Sequence, residues 1–204
     1  DYDSMSSLTG QRCWERHCNS MHYGRIVRSL GDTDGDGYDD LIVATPYWQI
    51  NTRSDTRQDP GSHRRNGRVI YHKGTASGLD TNPTWSIESD HESYFGWEIA
   101  VDADFNGDGY NDLVVGAPHR DPNGSDSGTI YIYPGQSSGL SNSAAVQLDG
   151  SNSEDYYGYT FGTADVNGDG LDDLVVGSRY DDTSASNAGR VTVYLGMAGS
   201  SMLD

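Results

Sequence analysis

Lysine is nearly missing from this chain of 204 residues: Lys73 stands alone, and 13 basic residues face 31 acidic ones for a net charge of −18. So acidic a surface repels a phosphate backbone, which excludes nucleic acid as a partner. Long apolar runs are missing too. Nothing approaches the ~18 residues that a membrane-spanning helix needs, so no membrane insertion is expected. Leu, Ile, Val and Phe together supply only 34 residues, a share more usual in disordered chains. Against that stand 26 Gly, 14 Tyr and four Trp, the composition of a chain dense in turns and aromatic strands. The chain opens at Asp1 with neither Met nor an apolar leader, so any signal peptide is expected to have been removed or never included. The length suits one domain or a piece of a larger one.

The order of the residues resolves the conflict between disorder and strands. Three segments align: Tyr23–Pro46 (YGRIVRSLGDTDGDGYDDLIVATP), Phe95–Pro118 (FGWEIAVDADFNGDGYNDLVVGAP) and Tyr157–Arg179 (YGYTFGTADVNGDGLDDLVVGSR). Their acidic loops begin at Asp32, Asp104 and Asp165, spacings of 72 and 61 residues. The likeness continues downstream in Gly67–Leu79, Gly128–Leu140 and Gly189–Leu203. Each unit carries four short strand candidates, typed in the second copy as Gly96–Ala103, Leu113–Gly116, Thr129–Tyr133 and Ala144–Leu148. Strand 2 is continuously apolar in every copy (Leu41-Ile42-Val43, Leu113-Val114-Val115, Leu174-Val175-Val176), which predicts burial on both faces. No helix-length amphipathic stretch interrupts them. Small four-stranded antiparallel sheets stacked face to face describe an all-β fold of β-propeller blades.

The loop between strands 1 and 2 carries the chemistry. Oxygen-bearing side chains fall at loop positions 1, 3, 5 and 9: Asp32, Asp34, Asp36 and Asp40; Asp104, Asn106, Asp108 and Asp112; Asp165, Asn167, Asp169 and Asp173. Position 7 (Tyr38, Tyr110, Leu171) offers a backbone carbonyl. That set is the hard-oxygen cage preferred by Ca²⁺, and three calcium sites are expected. Gly at positions 4 and 6 lets the backbone coil with positive φ. Mg²⁺ suits the loops less, because it retains several waters. An EF-hand is excluded: it needs Glu at position 12 and flanking helices, whereas position 12 is Val43, Val115 or Val176.

Aromatic-Gly, a nine-residue acidic loop and then LVVGAP resembles the FG-GAP repeat of integrin α-subunit propellers and their bacterial relatives. Phe95-Gly96 and Gly116-Ala117-Pro118 carry its two name-giving segments. The first and third copies depart from them, with Tyr23-Gly24 and Tyr157-Gly158 for Phe-Gly, and Ala44-Thr45-Pro46 and Gly177-Ser178-Arg179 for Gly-Ala-Pro. The departures leave the calcium positions untouched. The resemblance implies an extracellular or cell-surface adhesion or ligand-recognition module with structural calcium.

In a four-stranded meander the calcium loops and the strand 3–4 turns share one face, and the strand 2–3 loops share the other with the inter-blade links. On that second face the first copy carries the long segment Tyr47–Asn66, with Tyr47, Trp48, Arg53, Arg57, His63, Arg64 and Arg65 as candidate partner contacts. Cys13 and Cys18 are expected to form a local disulfide in a secreted chain. No nucleophile elbow, HExxH or phosphate loop is present, and His72 and His119 have no paired nucleophile, so no enzymatic activity is expected.

The chain reads as one propeller-type unit, 1–204: an N-terminal strand (Arg12–Arg16) plus blade 1 in 12–88, blade 2 in 89–148, and blade 3 in 149–204 without its own fourth strand. Three blades are too few to close a propeller. The unit is therefore either part of a longer propeller or completed by further copies of itself as a ring or filament. The expected partner is a protein or glycan ligand. The competing expectations are a structural subunit of a self-assembling surface structure, a lectin, and a non-catalytic accessory domain of a larger secreted enzyme.

Overall fold

Every element among the described residues is a β-strand or a turn. The computed structural model of the chain describes residues 22–49, 65–89, 91–182, 184, 187–199 and 201–204. The first sheet joins β1 (Ile26–Gly31), β2 (Asp40–Thr45), β3 (Arg68–His72) and β4 (Trp85–Glu88) in chain order, all antiparallel. The second repeats the meander with β5 (Ile99–Ala103), β6 (Asp112–Ala117), β7 (Thr129–Tyr133) and β8 (Val146–Asp149). In the third, β10 (Asp173–Ser178) lies between β9 (Thr160–Ala164) and β11 (Arg190–Tyr194). A small hairpin, β12 (Gly196–Met197) with β13 (Met202–Leu203), follows. The described sheets have the form of propeller blades and do not close into a ring.

The expected bounds hold to within a few residues, and strand 3 of the second copy matches at both ends. Strand 1 starts at Ile99 rather than Gly96, because Gly96 adopts φ +85° and turns the chain toward the neighbouring sheet. Strand 4 runs Val146–Asp149 rather than Ala144–Leu148, although the Ala145 N–H already bonds the Ile132 carbonyl at 2.9 Å. The segment Arg12–Arg16, Cys13, Cys18, Arg53, Arg57, His63 and Arg64 lie outside the described residues.

Burial is organised between blades. One core joins Ile42, Ala44, Val69 and Tyr71 of the first sheet to Phe95, Ile99, Leu113 and Val115 of the second. The other joins Val114, Ile130 and Ile132 of the second sheet to Tyr157, Leu174, Val176 and Met202. The period-2 side chains of β6 thus serve both cores, Leu113 and Val115 one way and Val114 the other, and the strand is buried throughout. In β10, Val175 and Gly177 remain half-exposed, because no described sheet covers their side.

The aromatic-glycine pair opening the second and third blades locks each to the one before. The Phe95 N–H donates to the Asn66 carbonyl and the Tyr157 N–H to the Ser127 carbonyl, each at 3.1 Å. Contact is so close that a Cβ on Gly67 or Gly128 would lie 2.2 Å from the carbonyl oxygen of Phe95 or Tyr157. Likewise a Cβ on Gly116 would lie 2.1 Å from the Gly158 carbonyl. The glycine of Gly-Ala-Pro is thus a seat for the aromatic-Gly of the next blade.

Candidate metal centres and recognition face

Each acidic loop folds around its first aspartate. Asp32 Oδ1 accepts the N–H of Gly35 and Asp36 at 2.8 and 3.0 Å, and its Oδ2 accepts Gly37 at 2.8 Å. Asp104 and Asp165 repeat the pattern with their own positions 4, 5 and 6. Positions 3 and 5 add two shorter rungs: Asp34, Asn106 and Asn167 each accept from the position-5 N–H, and Asp36, Asp108 and Asp169 from the position-7 N–H. The glycines at positions 4 and 6 all have positive φ, from +73° to +92°, which lets successive N–H groups point at one carboxylate.

The position-9 aspartates sit differently. Asp40, Asp112 and Asp173 open β2, β6 and β10 and are buried at the floor of their loops. Their Oδ1 atoms accept the N–H of Gly74, Gly135 and Gly196 at 2.9, 2.9 and 2.8 Å. Their Oδ2 atoms accept the position-2 N–H of Thr33, Phe105 and Val166. Each carboxylate therefore ties the strand 1–2 loop to the turn that follows strand 3, and those of Asp112 and Asp173 have further lone pairs on the same oxygens. Burial, opposed by the N–H bonds from Gly135 and Phe105, pushes Asp112 up to about 6.

Carboxylate oxygens of Asp32, Asp34 and Asp36 come within 4.8 Å of one another. Such convergence of hard oxygens fits a Ca²⁺ ion, with Asn carbonyls replacing one carboxylate in the second and third loops. The first loop also has a companion that its sequence did not advertise. Lys73 Nζ donates to Asp34 Oδ2 at 2.5 Å, and the ammonium holds that carboxyl below its ordinary range.

The opposite face is aromatic. Ring contacts run unbroken from Tyr47 to Tyr94 (5.7 Å between centroids), His119 (4.3 Å), Tyr156 (5.3 Å) and Tyr180 (5.6 Å). These residues come from the strand 2–3 loops and the inter-blade links, which therefore meet on one face as the meander requires. Arginines lie over the rings: Arg25 over Trp97 at 4.2 Å, Arg65 over Tyr47 and Tyr94 at 5.0 and 5.4 Å, and Arg179 over Tyr180 at 4.3 Å. Of the expected contacts, Tyr47, Trp48 and Arg65 are described, and all three are half-buried. Arg65 is also bonded to the Tyr94 hydroxyl at 2.7 Å, and Trp48 lies under Arg68. Tyr94, His119, Tyr156 and Tyr180 were missed, because each looks like an isolated loop aromatic until the blades are stacked.

Residues 29–62, 95–133 and 157–194 each match the FG-GAP repeat. The chain belongs to the FG-GAP repeat family. Among its relatives, integrin alpha-5 of Xenopus laevis is 30% identical over 201 residues, 95% of this chain and 18% of that protein. Integrin alpha pat-2 of Caenorhabditis elegans is 29% identical over 86% of this chain and 14% of its own length. Phosphatidylinositol-glycan-specific phospholipase D of Bos taurus is 33% identical over 86% of this chain and 21% of its own length. The FG-GAP chain thus spans about a fifth or less of these relatives. Integrin-like FG-GAP repeats generally bind divalent cations such as calcium, in keeping with the acidic cluster of the first loop. No helix among the described residues is long and apolar enough to cross a membrane.

Proposed function

We propose that this FG-GAP chain is an extracellular, calcium-stabilised recognition module with no catalytic role of its own. Three Ca²⁺ ions hold the acidic loops closed on one face, and a protein or glycan partner is taken by the other. The observation that carries the reading is the unbroken aromatic series from Tyr47 to Tyr180, capped by Arg25, Arg65 and Arg179. Aromatic and arginine side chains on a rigid scaffold are the usual composition of binding hot spots. The integrin relatives support a role in adhesion. The phospholipase D relatives favour a second reading, the accessory propeller of a larger secreted enzyme.

The test is direct. The calcium-loaded chain is presented to arrays of extracellular proteins and of glycans. Saturable binding to one class is expected, weakened about tenfold or more by a combined Arg25→Ala and Arg179→Ala change. Both arginines are exposed, so the unfolding midpoint should fall only slightly, through the loss of their ring contacts. Binding to neither array, or binding indifferent to the double change, contradicts the reading.

A further inference from the structure

The second and third acidic loops are bonded to each other across the blade junction, whereas the first and second are parted by a cavity. The Asp104 N–H donates to Asp172 Oδ2 at 2.9 Å, and the Asp172 N–H donates back to the Asp104 carbonyl at 3.2 Å. Asp104 is position 1 of the second loop, and Asp172 is position 8 of the third, between the expected ligands Leu171 and Asp173. The Leu171 side chain extends the contact, with its Cδ2 lying 2.8 Å from where a Cβ on Gly107 would stand. Phe105, beside Asp104, is buried in the core that Leu174 and Met202 share. At the other junction the equivalent residues, Asp32 and Asn111, line a cavity of about 250 Å³ between the two loops. A Cβ on Gly35, the counterpart of Gly107, would meet nothing within 4 Å, and Tyr110, the counterpart of Leu171, is 38% exposed.

The reciprocal pair joins residues that also frame two ion cages. The Asp104 carboxylate gathers the N–H groups of its own loop, while its main chain grips the third loop at the stretch that supplies positions 7 and 9. Whatever fixes Asp104 therefore also fixes Leu171–Asp173, and the entropy of ordering the shared stretch is lost once rather than twice. We propose that Asp172 couples the second and third calcium sites, so that filling one tightens the other, while the first site fills on its own. The coupling rests on the calcium-stabilised reading above and goes beyond it. Asp172 is a positioning residue here, because it acts on the second cage through the Asp104 backbone. Coupling between sites is reciprocal and typically about 5- to 150-fold, and one hydrogen-bonded junction belongs at the lower end. Repulsion between the two ions opposes it and is screened at physiological salt.

Titration of the chelated, ¹⁵N-labelled full chain with calcium at physiological salt, followed by NMR, tests this site by site. The Gly37, Gly109 and Gly170 amides each bond the first aspartate of their own loop, so they report the three sites separately. Gly109 and Gly170 are expected to respond together, with Hill coefficients above about 1.3, and Gly37 along a simple hyperbola. Asp172→Ala should bring both coefficients down to about 1, whereas Asp172→Asn, which keeps an oxygen for the Asp104 N–H, should retain the coupling. Asp169→Ala, which disables the third cage, should move the Gly109 midpoint to about twofold higher calcium, the square root of a fivefold coupling, and leave Gly37 unmoved. Independent hyperbolic curves for Gly109 and Gly170 overturn the proposal while calcium binding stands, as does coupling that survives Asp172→Ala. A chain that takes up no calcium overturns it together with the calcium-stabilised reading.

Discussion

The first and second acidic loops have the same backbone and different means of tolerating their charge. The first has four carboxylates at its ligand positions, but Lys73 pairs with one of them and lowers the sum to that of its sisters. At its floor Asp40 Oδ2 also accepts the hydroxyls of Tyr71 and Thr33, the Tyr71 bond being 2.8 Å. The second loop has Asn106 in place of Asp34, and register puts Tyr133 and then Pro134 where the first copy has His72 and Lys73. Its floor aspartate, Asp112, lies where the first copy's Thr33 and Tyr71 are replaced by Phe105 and Ile132, so it has backbone N–H partners alone. One repeat thus compensates with its own cation and hydroxyls, and the other by removing a charge and holding its buried carboxylate on backbone N–H groups. What is shared is the ladder of N–H bonds. The charge balance was solved separately in each blade.

Three perturbations probe the difference between the two loops. The largest effect is expected from Asn106→Asp, which gives the second loop four carboxylates without a lysine. Carboxylates ~4 Å apart repel by at most ~4 kcal/mol at an effective dielectric of about 20, and exposure to water reduces this. Urea denaturation in EDTA should show a loss of about 1–2 kcal/mol, recovered in saturating calcium; equal losses in both would mean that the repulsion is not what the ion relieves.

Next is Lys73→Met. Freed of its tethered competitor, the first loop should bind calcium several-fold more tightly by calorimetry, while the calcium-free protein loses about 0.5–1 kcal/mol. Adding Asp34→Asn should reverse both effects. Unchanged affinity in the single variant would show that Lys73 is a bystander.

The smallest effect is in the pH response. A carboxyl raised by burial to about 6 weakens the fold while ionised, and that penalty lifts as pH falls through 6 toward the unfolded value of 3.8. The calcium-free midpoint should therefore rise slightly between pH 7 and pH 5, whereas in calcium it should fall as protons displace the ions. Parallel curves with and without calcium would count against a role for Asp112 in the site.

Strands 2 and 3 were legible in the sequence because their burial is local in origin. Leu113-Val114-Val115 is apolar on both sides, and Thr129–Tyr133 alternates cleanly between Ile130 and Ile132. The loop ladder was legible for the same reason, since each aspartate bonds groups two to five residues away. What escaped depends on residues far apart in the chain. Lys73 reaches Asp34 across 39 positions, and the aromatic series is assembled from three blades. The β12–β13 hairpin escaped too, because Gly196–Leu203 has no alternation to betray it; its Met202 is buried in a core shared with Phe105 of the second blade. Burial of strand 3 was also not a property of its own sequence, since Val191 is as apolar as Val69 and differs in having no described sheet packed over it.

If divalent cations hold these loops, and through them the blades, chelation must loosen the fold. Isothermal titration of the chelated chain with calcium, followed by calorimetric unfolding of the same samples, tests it most directly. Three ions per chain and a clear rise in midpoint are expected, each site adding about 2.7 kcal/mol at a free calcium concentration of a hundred times its Kd. A titration without heat, and a midpoint identical in calcium and in EDTA, would contradict it.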